Sequence, residues 1–445
     1  MKATLTEGNI STQLFKLTLP MTWGIFALFS FNLIDTYFVG QLGTIELAAI
    51  AFTFPVTSIL ENIGFGLATG ASSVISREIG KGDLIENKIL TTNSLILGVS
   101  IVAFLVAIGL MTIEHLFEAM GATPDLLPSI TKYMSIWYFG MIFFVVPMVA
   151  NNAIRSTGNT LIPSIIITIA ASINLVLDPF LIFGWGNFLG LGIIGAALAT
   201  LIARAITMLL ALSYLHFKAN LLSFTIPKVK KIRQAWINIL QISIPTALSL
   251  SIIPISMGFI TNLIATYGNP AVAGFGIALR IENFIFVPII ALSMVIVVFV
   301  GQNWAALNYN RVRRCLLLSF SFSFSWGIII ALFFFFNGKE IAAIFNDNYD
   351  VINIANNYLI LVPISYTLLG IIFLSNSSFN ALGKPLISLT ITLTRMLILY
   401  LPLAYLGSNI LGINGIFIAF CLSNLIAGIV SIICNKKVLY LKEKL

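Results

Sequence analysis

Charge is scarce in this sequence: Asp, Glu, Lys and Arg supply only 9% of its 445 residues, against 59% hydrophobic ones. A soluble domain carries about 25% charged residues. Surface-to-volume scaling would leave too much of this apolar complement facing water, which excludes a soluble fold and makes lipid the solvent. Cysteine is scarce too. Cys315, Cys421 and Cys434 are odd in number and lack metal-ligand spacing, so they read as apolar helix residues and not as a disulfide framework or a metal site. The two histidines, His115 and His216, stand alone near predicted helix ends. GxSxG, HExxH and P-loop motifs are missing. The chain therefore offers no nucleophile–base pair, no catalytic metal set and no ATP site. A membrane enzyme is disfavoured, and no cofactor is called for. A small-residue cleavage site before Pro20 is missing as well, so the first apolar stretch reads as a retained helix.

Long apolar runs are what the sequence has in abundance. A membrane span needs roughly 20 apolar residues. Runs of that length place helices near 13–39, 47–76, 89–113, 130–154, 161–184, 190–215, 236–266, 271–304, 315–337, 352–380, 386–407 and 411–434. Basic residues mark the cytoplasmic side of such a chain. With both termini cytoplasmic, 18 Lys and Arg fall on that side and only Lys132 and Lys339 fall outside, with Lys16, Arg204, Arg280 and Arg395 inside helices. The net charge of +8 thus reads as topology, not as nucleic-acid binding. Lys228 to Arg233 lie in the longest polar stretch, which divides the chain into an amino-terminal lobe (1–217), a linker (218–235) and a carboxy-terminal lobe (236–445).

The sequence also repeats itself at an offset of 225 residues. Leu19-Pro20 falls on Ile244-Pro245, Gly43 on Gly268, Ala48 on Ala273, and the segment Asn151 to Gly158 on Asn376 to Gly383. The offset spans an even number of helices, so both halves have one orientation, the parallel repeat of transporters that rock about a central cavity. The expected fold is an all-α integral membrane protein, a monomer, with twelve transmembrane helices in two six-helix lobes related by pseudo-two-fold symmetry.

The run Leu17-Thr18-Leu19-Pro20-Met21, then Phe31-Asn32-Leu33-Ile34-Asp35-Thr36, then Gly40 to Ala49, resembles the first helix and following turn of the multidrug and toxic compound extrusion (MATE) transporters. Asn174 to Pro179 is similar to their fifth helix, and Gly195 to Thr200 to their sixth. The resemblance covers essentially the whole chain. It is closest to the DinF-type branch, in which acidic residues concentrate in the amino-terminal half. It implies cation-coupled export of amphipathic, often cationic, compounds across a bacterial or archaeal inner membrane. Phe31 departs from the pattern, because relatives in this branch can carry Tyr there.

Charges inside a span are costly and mark function by default. Asp35 lies about five residues below the outer end of helix 1, roughly 8 Å deep at 1.5 Å per residue. Its repeat partner is Ile260, so fold symmetry does not require an acid there. Asn32 lies three residues earlier on the same face. Asp178 and Asn174 share a face of helix 5, and their repeat partners Leu403 and Leu399 are apolar. Thr200 on helix 6 reaches a similar depth. These positions predict one polar cluster of Asp35, Asn174, Asp178 and Thr200, and the resemblance implies the same four. Two carboxylates this close in low dielectric cannot both ionise cheaply, so the cluster suits a proton. The same oxygens also suit Na⁺, and the residue types alone do not separate the two ions. The competing reading is that Asp178 simply caps or packs beside Pro179, a helix breaker.

Pro20 removes a backbone hydrogen bond within helix 1 and makes it a candidate hinge. Pro245 is its repeat partner, so a proline there can equally belong to the fold. Asn151, a buried amide on helix 4, is a candidate member of the polar cluster or a plain interhelical bond. Phe31, Tyr37, Met148, Met257 and Phe284 are candidate cargo contacts, because ring faces attract cations and Met adapts its shape. With 35 Phe and 11 Met in the chain, most such residues simply pack. Glu61, Arg280 and Glu282 are further candidates for cargo binding. Arg280 and Glu282 are two apart and so face different partners, with Arg395 a candidate mate for one of them. Arg204 and Lys16 read as structural or snorkelling. A lipid-linked oligosaccharide flippase of the same superfamily is the alternative function. Such proteins tend to carry extra helices or cationic cavities, whereas this chain ends after twelve spans and its amino-terminal charges are acidic.

Overall fold

The computed structural model describes residues 4–41, 44–185, 188–223, 225 and 228–443, and the side chains of 32, 36, 44–51, 185, 188 and 440–443 are outside that description. Twelve long helices account for nearly all of it. The first six are α1 (Ile10–Gly40), α2 (Thr44–Lys81), α3 (Leu84–Ala119), α4 (Leu127–Ser156), α5 (Leu161–Phe183) and α6 (Ile193–Lys218). The second six are α7 (Val229–Ala265), α8 (Asn269–Ala305), α9 (Tyr309–Ala343), α10 (Tyr349–Ala381), α11 (Pro385–Leu411) and α12 (Ile413–Glu443). Among the described residues, eleven of these are long and apolar enough to cross a membrane, and α2, with 38 residues, is the twelfth. The chain is thus a multi-pass membrane protein with the expected all-α, twelve-helix fold.

Several helices outrun their apolar cores. α2 continues to Lys81, α7 starts at Val229 and α9 at Tyr309. A helix satisfies its own backbone in lipid and in water alike, so charged turns extend it beyond the bilayer. Local chemistry then sets the ends. Asp83 caps α3 by accepting the Ile85 and Glu86 amides, both at 3.0 Å. Gly158 and Gly383, repeat partners, both close turns with positive φ (+89° and +70°), where a side chain would be strained. A two-stranded hairpin, β1 (Gly184–Trp185) with β2 (Phe188–Leu189), joins α5 to α6.

The chain forms two compact units. One holds Pro20–Ala247; the other holds Leu5–Leu19 and Leu248–Leu445. The division falls inside two helices, at Leu19/Pro20 in α1 and Ala247/Leu248 in α7. These are repeat-related places, one at Pro20 and the other two residues past Pro245. In the first unit, Ala68, Ala71 and Ile75 of α2 pack with Val149, Ala150 and Ala153 of α4 and with Ile239 of α7. In the second unit, α8 and α10 are the interior helices, their apolar windows 72% buried against 22% for α9. Phe104, Leu209, Phe336 and Ile410 stay exposed, as helices bathed in lipid allow.

Candidate functional site

Three helices of the first unit carry the carboxylate cluster: α1 brings Asp35, α5 brings Asn174 and Asp178, and α6 brings Thr200. The four-residue spacing on α5 puts Asn174 one turn from Asp178 on one face. Both are buried, Asp178 completely. In the amide orientation that satisfies all its neighbours, the Asn174 nitrogen donates to Asp178 Oδ2 at 2.6 Å. Its carbonyl oxygen then accepts from Thr200 Oγ1 at 3.3 Å and from the Thr200 backbone N–H at 3.1 Å. This orientation is assigned from the network. On its other side, Asp178 lies within hydrogen-bonding reach of the Asp35 carboxyl. The result is a chain Thr200–Asn174–Asp178–Asp35 that ends on the second carboxyl.

A second pair lies beside it. Arg204 of α6 meets Glu61 of α2 at 3.1 Å and stacks over the Phe144 ring at 4.6 Å. The Arg204 charge also acts on Asp35, and the hydroxyl of Tyr133 lies in the field of Asp35, Arg204 and Glu61 together. Of its two expected readings, structural or snorkelling, the ion pair gives Arg204 the structural one. Two opposite charges inside the same six helices were the available signal for this pair. Nothing in the sequence distinguished Tyr133 from any interfacial tyrosine.

Asn32's side chain lies outside the described residues. Asn151 is buried with its Oδ1 unpartnered and is not joined to the cluster in the described structure. Its neighbour Asn152 bonds back to the Met148 carbonyl at 2.9 Å. Met148 packs against the first unit's core. Tyr37 is 64% exposed beside Phe38, while Phe31, Met257 and Phe284 are half-buried. Pro20 sits within an unbroken α1. Arg280 is exposed. Glu282 turns the other way: its Oε2 accepts from Tyr358 at 2.5 Å and from Tyr366 at 2.8 Å. Arg395, bound to Asn424 at 2.9 Å, acts on Glu282 through its charge. This tyrosine cage was not foreseen, because Tyr358 and Tyr366 read as ordinary aromatic helix residues.

The MatE family profile matches residues 20–180 and again 245–406, at the repeat offset. A protein named FAD transporter from Shewanella oneidensis is 37% identical over 425 residues, covering 96% of this chain and 94% of its own. The multidrug export protein MepA of Staphylococcus haemolyticus is 26% identical, covering 92% and 90%. The crystal structure of the Vibrio cholerae MATE transporter VcmN in its bent form superposes with a TM-score of 0.91 at 32% identity, covering 97% of both chains.

Proposed function

Because this chain belongs to the MATE family of transporters, we propose that it is a secondary active exporter driven through the Asp35–Asp178 pair. Amphipathic, often cationic, compounds leave the cell as a cation enters. The observation that carries this reading is the contact between two carboxyl groups, one of them wholly buried. Two such groups hold a proton between them or part. Loss and gain of that proton changes whether α1 and α5 are tied together, which gives an ion gradient a purchase on the helix that carries Pro20. H⁺ is the ion proposed first, because a proton shared across the Asp35–Asp178 contact needs no further ligand; the oxygens of Asn174 and Thr200 keep Na⁺ as the other ion of the same reading. The proposed setting is a bacterial inner membrane, with both termini cytoplasmic, a monomer, and lobes of 1–217 and 236–445 joined by the linker 218–235.

A second reading concerns the cargo. The relative named FAD transporter shares 37% identity, and the MepA relative 26%, which supports a flavin dinucleotide as a second cargo class beside a lipophilic cation. Both cargos present a flat aromatic ring and differ in charge. The flippase alternative recedes, since these relatives are named for drug and FAD transport. Proteoliposomes loaded with ethidium or with FAD, under a pH gradient, decide the matter. Export of ethidium unaffected by excess FAD supports the cation reading. Export of FAD alone supports the dinucleotide reading, and export of neither rejects both.

A further inference from the structure

Residues 5–8, which lead into α1, lie in a cradle built by the α8–α9 turn of the second unit. Gln302 Oε1 accepts the Leu5 N–H at 3.3 Å, and Asn303 Nδ2 donates to the Leu5 carbonyl at 3.1 Å. Arg311 does most of the gripping. Its Nη1 donates to the Gly8 carbonyl at 2.7 Å; its Nη2 reaches the Leu5 carbonyl at 3.0 Å, the Glu7 carbonyl at 3.2 Å and Gln13 Oε1 at 3.0 Å. Its Nε donates to Asn303 Oδ1 at 3.0 Å, which fixes the fork. Gln302 and Asn303 are completely buried, the Leu5 side chain is buried, and Gly8 turns the chain with φ +82°. The cradle thus reads backbone carbonyls, which a planar five-donor guanidinium can do and a lysine ammonium cannot match.

The repeat gives this grip a counterpart. An offset of 225 carries Arg311 onto Glu86 and Lys231 onto Thr6. In the first unit, Glu86 at the start of α3 holds Lys231 at the start of α7 at 2.9 Å. Each unit therefore clamps the leading end of the one helix that later runs on into the other unit. The clamps occupy equivalent places and use unlike chemistry, a carbonyl-reading fork and an ion pair.

We propose that Arg311 is a positioning residue of the transport cycle: it anchors the strap 5–8, so the amino-terminal half of α1 stays with the second unit while the half beyond Pro20, with Asp35, moves with the first. This rests on the transport reading above. Without the anchor, α1 can shift as a whole, and a change at Asp35 no longer bends it at Pro20. Cargo and ion then still bind, but binding no longer drives exchange.

The test compares the full-length chain with Arg311→Gln, Arg311→Lys and Leu5→Asp. Hydrogen–deuterium exchange of the peptide spanning residues 4–14 reads the strap, and ethidium and FAD efflux from proteoliposomes reads transport. The expected result is exchange at least tenfold faster in Arg311→Gln, turnover at least tenfold lower, cargo KM within twofold, and little rescue by Arg311→Lys. Leu5→Asp disturbs the strap and spares the cradle; it should behave alike and serves if Arg311→Gln fails to fold. Unchanged exchange in both variants overturns the anchor, and faster exchange with turnover within twofold of wild type overturns its role in transport. If wild type moves neither probe, the transport reading and this role fall together, while unchanged or faster exchange still reports whether Arg311 anchors the strap.

Discussion

Asn174 is the residue on which the carboxylate cluster depends most simply, because it is the only amide that holds Asp178 in the described network. Asn174→Leu keeps the volume and removes the donor. A buried acceptor left unsatisfied costs about 1–3 kcal/mol, so thermal unfolding should fall measurably. Transport should drop roughly tenfold or more, the rate equivalent of about 1.4 kcal/mol. Thermal-shift measurement on the purified variant checks the first, and efflux from proteoliposomes checks the second. Much at this scale was legible. Asp35, Asn174 and Asp178 stood out because charge and amide are rare in spans and because their repeat partners Ile260, Leu399 and Leu403 are apolar; Thr200 joined them through its depth on helix 6 and the family resemblance. Tyr133 was not legible, since its importance comes from three charged neighbours on α1, α2 and α6 that only the fold assembles.

Among the elements, α10 is made of two helical pieces, Tyr349–Leu361 and Tyr366–Ala381, joined through a tight turn at Pro363–Ser365. Tyr358 lies on one piece and Tyr366 on the other, and Glu282 of α8 receives both hydroxyls. Glu282 therefore splints the break. Glu282→Leu leaves two buried hydroxyls without an acceptor and should lower stability by about 2–3 kcal/mol. Glu282→Gln keeps an acceptor oxygen and should cost less than half of that in thermal-shift measurements. Equal losses would show that the splint is only packing. A second element-level prediction concerns α2 and α7. Gly66 and Gly70 lie one turn apart on α2, where a Cβ on Gly66 would stand 2.6 Å from the Ser243 carbonyl oxygen. Small residues at this spacing let helices approach closely in lipid. Gly66→Leu should separate them and cost about 1–3 kcal/mol, read as a fall in melting temperature of the detergent-purified protein. The helices themselves were legible to within several residues, since lipid demands long apolar runs. Their charged extensions were not, because apolar runs mark only the part of a helix that lipid covers; nor were the break in α10, where Pro363 lies inside an apolar run, and the π-helical stretch at Thr394–Tyr400 in α11.

Over the whole molecule, the repeat is the organising fact. It was visible as a 225-residue offset, and the family match falls on the same two segments. The compact units divide inside α1 and α7, next to the repeat-related prolines Pro20 and Pro245; the prolines stood out in the sequence, but that the units part beside them emerged only from the fold. A helix shared between two units is a lever, and in α1 the lever carries the acid. The central claim is that a proton on the Asp35–Asp178 pair drives export. Its most direct test is uptake of ethidium and of FAD into everted vesicles, where export appears as uptake, comparing wild type with Asp35→Asn under a pH gradient and then under a Na⁺ gradient. The account predicts that wild type exports under the pH gradient and that Asp35→Asn loses at least tenfold of that rate while keeping cargo affinity within a few fold. Equal export by both proteins would contradict it and leave the cluster with a structural role alone.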